Sequence, residues 1–72
     1  MKLDHAQQIV AFLTERGEEA TLYEDYSGRM MYGRKTTGIV TRSVGDVGHA
    51  MAQLGIDDER RSDSMGLDYI VY

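Results

Sequence analysis

Cysteine, proline and tryptophan are all missing from these 72 residues, and phenylalanine occurs once. Without cysteine there is no disulfide, no thiolate metal site and no thiol nucleophile, a composition that suits a reducing, cytoplasmic setting. Histidine is scarce as well. His5 and His49 alone do not make a zinc site, and no cofactor or metal is expected. No apolar run approaches the roughly 20 residues that a membrane-spanning helix needs. The opening Met1-Lys2-Leu3-Asp4-His5-Ala6 turns polar at once, unlike a signal peptide. Catalytic signatures are equally absent: there is no Gly-x-Ser-x-Gly elbow, no phosphate loop ending in Gly-Lys-Ser/Thr and no Gly-x-Gly-x-x-Gly. Ser27, Ser43, Ser62 and Ser64 stand near turns or caps, where serine commonly serves the backbone. Asp57-Asp58-Glu59 lacks the alternating register of a calcium loop. The reading is therefore of a protein that is not an enzyme.

What remains is an apolar fraction of 42%, enough for one folded domain over residues 1–72. Ala6, Ile9, Val10 and Leu13 recur at helical spacing. Asp4 is set as an N-cap with Gln7 three residues on, and Gly17 stands at the stop. Residues 20–26, Ala-Thr-Leu-Tyr-Glu-Asp-Tyr, read as a strand, and Thr36–Thr41 as its hairpin partner across a long tip. Val47, Ala50, Met51 and Leu54 give a second helix between Ser43 and Gly55. Ser62-Asp63-Ser64-Met65-Gly66 reads as turn, and residues 67–72 as a closing strand. The class is α+β in the order α-β-β-α-β. A right-handed crossover makes the last strand parallel to the second, and placing it beside the first gives a small three-stranded mixed sheet. Both helices pack on one face through Ile9, Val10, Leu13, Leu22, Ile39, Val47, Met51, Leu54 and Ile70. The other face, left without a helix, suggests a homodimer.

Net charge is −4, unevenly spread. Residues 26–42 hold Arg29, Arg34, Lys35 and Arg42 with no acid, and lie between two acid-rich stretches. Within this segment Tyr26, Arg29, Tyr32, Arg34 and Lys35 are the candidate binding residues. Arginine and lysine neutralise anions, tyrosine stacks on bases, and tyrosine and arginine dominate protein hot spots. The competing structural reading has the rings packing on the domain while the cations meet the acidic flanks.

Asp25-Tyr26-Ser27-Gly28-Arg29-Met30-Met31-Tyr32-Gly33 resembles the Asp-Tyr-Ser-Gly-Arg-Gly-Met-Tyr-Gly stretch of small uncharacterised proteins encoded by bacteriophages and prophages. Met30 stands where those proteins have glycine. Asp63-Ser64-Met65-Gly66-Leu67-Asp68 is similar to a second stretch of theirs. The resemblance implies a mobile-element setting in the cytoplasm of a host bacterial cell. Small phage proteins of this kind include inhibitors of host defence, anti-CRISPR proteins among them. The expected function is to bind and modulate a host protein, with a nucleic-acid-binding effector as the candidate target. Binding of nucleic acid or a nucleotide through the Tyr/Arg/Lys-rich loop is the alternative, although the overall acidity speaks against non-specific DNA binding.

Overall fold

Two helices and four strands make up the computed structural model, which describes residues 1–28 and 31–72. They follow in the order α1 (Leu3–Glu15), β1 (Ala20–Tyr26), β2 (Thr36–Thr41), α2 (Val44–Leu54), β3 (Ser62–Met65) and β4 (Asp68–Val71). The apolar spacing of each helix sets its buried stripe: Ala6, Ile9 and Leu13 on α1, and Val47, Ala50 and Met51 on α2. Leu54, expected in the core, stays partly exposed at the end of α2. α1 begins earlier than Asp4 suggests, because Lys2 holds the N-cap position and Asp4 falls inside the first turn. A carboxylate there still favours the positive end of the helix dipole. Both helices stop where glycine takes a left-handed conformation, at Gly17 and Gly55. The Glu18 and Ile56 amides then donate back to the Leu13 and Met51 carbonyls.

The sheet differs from expectation. It has four strands, not three, and is antiparallel throughout, in the order β1-β2-β4-β3. Residues 62–65, expected as turn, form β3, and the true turn is at Gly66-Leu67, where Gly66 has φ +63°. β3 still runs in the direction of β2, as a crossover requires, but β4 folds back between them and takes the neighbouring position. Ser and Asp favour turns when nothing else competes. Here the tertiary contacts of Asp63, described below, hold the segment extended.

Register assigns the faces. Leu22 lies opposite Ile39, and Ile39 opposite Val71. Ile39 and Val71 belong to the cluster under the helices, with Ala20 and Leu22 at its margin. Because side chains alternate along a strand, Ile70 points the other way, together with Tyr23, Gly38, Val40 and Asp63. Ile70 was expected beneath the helices and is fully buried on the opposite face instead. It lies across Gly38, where a Cβ would come within 2.9 Å of its Cγ1 and Cδ1. His5 of α1 bonds Asp58 at 2.6 Å, fastening the connection between α2 and β3 to the first helix. No helix among the described residues is long and apolar enough to cross a membrane.

Candidate functional site

The described parts of the connection between β1 and β2, residues 27–28 and 31–35, lie at the end of the sheet beside Asp63, Arg61 and Tyr72. Tyr26 Oη donates to Asp63 Oδ2 at 2.7 Å, and Tyr72 Oη donates to the same oxygen at 3.1 Å. The ring of Tyr26 packs against Tyr72 with centroids 5.1 Å apart and meets Tyr23 edge-on at 5.7 Å. Edge-on and tilted pairs of this kind add to the burial of the rings themselves. The three rings form a cluster on the helix-free face. Gly28 closes it, since a Cβ there would stand 2.6 Å from Tyr72 Oη and 2.8 Å from Asp63 Oδ2. The hydrogen bond to the Asp63 carboxylate pushes the Tyr26 phenol up to about 12, with burial adding to the effect. Burial first, and then the same carboxylate, raises Tyr72.

A bulge between Tyr23 and Tyr26 makes this possible. Asp25 adopts φ +59°, which breaks the alternation of β1 and turns Tyr26 toward Asp63. Two segments far apart in sequence meet here through Tyr26, Gly28 and Asp63. A cleft of about 430 Å³ lies beside them, lined by Tyr26, Ser27, Gly28, Ser62, Asp63 and Ser64. It has three hydroxyl-bearing serines but no histidine or lysine, and both tyrosine hydroxyls are spent on Asp63. This is not an activated nucleophile.

On its far side the tip has a different character. The Met31 amide donates to the Gly28 carbonyl at 3.0 Å, and the Arg34 amide to the Met31 carbonyl at 2.9 Å, closing a tight turn. Between them Tyr32 has φ +50° and Gly33 φ +83°. A bulky residue is strained in that region, and such strain concentrates at functional sites. Tyr32 is 88% exposed. Its ring thus stands in solvent on a backbone that tyrosine does not favour. Met31, Tyr32 and Arg34 line a concave surface of about 380 Å³ together with Arg61, which leads into β3. Arg61 is anchored there because its carbonyl accepts the Tyr72 amide at 2.8 Å. A neighbouring cleft of about 510 Å³ joins Met1, Met31, Thr36, Glu59, Arg60, Arg61 and Tyr72.

The sequence-derived candidates therefore separate. Tyr26 is structural, turned inward onto Asp63. Tyr32 and Arg34 face outward and share one surface. Lys35 is exposed just beyond it. Arg29 lies outside the described residues. Met31, Arg60 and Arg61 were missed, the two arginines because they sit in an acid-rich stretch that reads as surface connection. Among the described residues, the expected neutralisation by the acidic flanks is seen at Arg42, which meets Glu19 at 3.0 Å and Asp68 at 3.4 Å. Arg34, Lys35, Arg60 and Arg61 make no ion pair with the described residues. Comparison with family models, with curated proteins and with solved structures finds no match.

Proposed function

We propose that the chain is a non-enzymatic binding protein of phage or prophage type that engages and modulates a host protein, with inhibition of host defence, as by an anti-CRISPR protein, the role its resemblance implies. A nucleic-acid-binding effector is the candidate target. The carrying observation is Tyr32, 88% exposed on a strained backbone beside Arg34 and Arg61. Tyrosine and arginine are enriched at interface hot spots, and among the described residues the side chains of Tyr32, Arg34 and Arg61 make no ion pair.

The test is paired affinity capture from bacterial lysate with the wild type and the Tyr32→Ala/Arg34→Ala variant. Exposed substitutions usually stay within about 0.5 kcal/mol of neutral, so both proteins should melt alike. A protein retained by the wild type and lost by the variant supports the reading. The same protein retained by both removes the tip from the interaction.

Nucleic-acid or nucleotide binding stands second, favoured by the cations grouped at the tip. Nuclease treatment of the lysate separates the two readings, because capture that survives it does not run through nucleic acid. The expected homodimer rested on an uncovered apolar face. Ile70, on that helix-free face, is fully buried within the chain itself. A dimer mass by light scattering at high concentration would place the contact on another surface.

A further inference from the structure

We infer that the concave surface formed by Met31, Tyr32, Arg34 and Arg61 takes an acidic segment of a partner protein, whose carboxylates meet the two guanidinium groups and whose neighbouring apolar or aromatic side chain lies against Met31 and Tyr32. The inference rests on the tip being the working surface. It adds the chemistry of what the tip holds.

Three observations converge on it. The first is the lining: methionine, tyrosine and two arginines, with no lysine and no acid. Methionine, aromatic residues and arginine are the types enriched at protein interfaces, whereas lysine, aspartate and glutamate are depleted. The second is that the two guanidinium groups come from independently fixed elements. Arg34 follows the Tyr32-Gly33 turn, and Arg61 is tied to the end of β4 through the Tyr72 amide. A planar guanidinium presents parallel N–H donors to both oxygens of a carboxylate, so two such groups on one surface select paired or closely spaced acids. The third is charge placement. The chain as a whole carries −4, whereas this concave surface is lined by two arginines. Glu18, at the opposite end of the sheet, is held above its ordinary value by a hydrogen bond with Asp46, where two carboxyls crowd together. The surface shared by Arg34 and Arg61 is thus locally cationic on a chain of net negative charge, which favours an acidic segment there over the rest of the molecule.

Nucleic acid fits these observations less well. A strand of phosphates needs a track of cations to follow. Leaving the cleft past Arg61, however, the next charged groups include Glu59 beside Arg60. A carboxylate-bearing segment needs only the two guanidinium groups and the apolar wall.

Binding of the full chain to three immobilised polymers provides the test: a random copolymer of glutamate and tyrosine, poly-L-glutamate, and poly-dT. The wild type is expected to bind the glutamate–tyrosine copolymer more tightly than poly-L-glutamate, with affinity falling as salt is raised. Arg34→Glu and Arg61→Glu should each weaken copolymer binding by about tenfold or more, as loss of a charge pair does at interfaces. Tyr32→Ser should abolish the preference for the tyrosine-containing polymer while the melting temperature stays unchanged. No binding of the copolymer at low salt, equal binding by Arg61→Glu, or tighter binding of poly-dT would each overturn the inference. Should paired capture still depend on Tyr32 and Arg34 while the copolymer goes unbound, the acidic-segment inference fails and the tip remains the working surface. If capture is also indifferent to the tip, both readings fall.

Discussion

Asp63 Oδ2 accepts two tyrosine hydroxyls, and ionising either phenol sets a second negative charge beside the first. The Tyr26 value of about 12 lies above the ordinary 10.0. This part of the stability is therefore complete below pH 10 and is lost as pH rises from there through the folded value. Alkaline titration followed by tyrosinate absorbance should show a late phase from Tyr26 and Tyr72 among the five tyrosines. Asp63→Asn keeps an acceptor oxygen and removes the charge, so the late phase should shift back toward 10. A late phase that stays in place would rule out the carboxylate as its cause. Glycines provide a second contrast at this scale. At Gly38 an added methyl meets Ile70 and, at 3.1 Å, the Val71 carbonyl, neither free to leave, so Gly38→Ala should cost about 1–3 kcal/mol. At Gly48 it meets only the flexible end of Arg60, at 3.1 Å. There the gain in helix propensity, about 1 kcal/mol, should win, and Gly48→Ala should melt no lower than the wild type. None of these contacts could be read from local sequence. Asp63 sits in a Ser-Asp-Ser run, and its role comes from rings in distant parts of the chain.

Among the elements, the two helices were legible because apolar spacing at i, i+3 and i+4 is a property of the segment alone. Leu13, 1% exposed, tests that stripe. Leu13→Ala should cost about 2–5 kcal/mol, and an unchanged thermal melt would take Leu13 out of the core. β1 and β2 were legible for a similar reason, with β-branched and aromatic residues framing a long connection. β3 was not. Four residues with one apolar side chain, Met65, do not alternate, and edge strands are often short and polar so that they do not recruit other chains. The bulge at Asp25 was hidden as well, since only the break at Glu24 in the alternating pattern hinted at it.

At the scale of the whole molecule the sequence pointed to a layer of helices on a sheet but not to its strand order. Hydrophobic pattern says which face of a strand is buried, and the register of β4 against β2 or β1 depends on contacts between elements. The tip divides in the same way: its aromatic and cationic residue types were legible, whereas the inward turn of Tyr26 and the placement of Arg61 beside Tyr32 and Arg34 required the fold. One further feature bears on how such a protein is handled. The Met1 ammonium donates to Thr36 Oγ1 at 3.0 Å and to the Tyr72 carbonyl at 3.3 Å, so the first and last residues touch, and both line the cleft beside Arg60 and Arg61. A purification handle fused at either end would sit at the rim of the proposed binding surface and compete with a partner docking there. The Gly66-Leu67 turn lies at the other end of the sheet, with Leu67 92% exposed. A handle inserted there leaves the tip open, and a partner missed with a terminal handle should be recovered with this one.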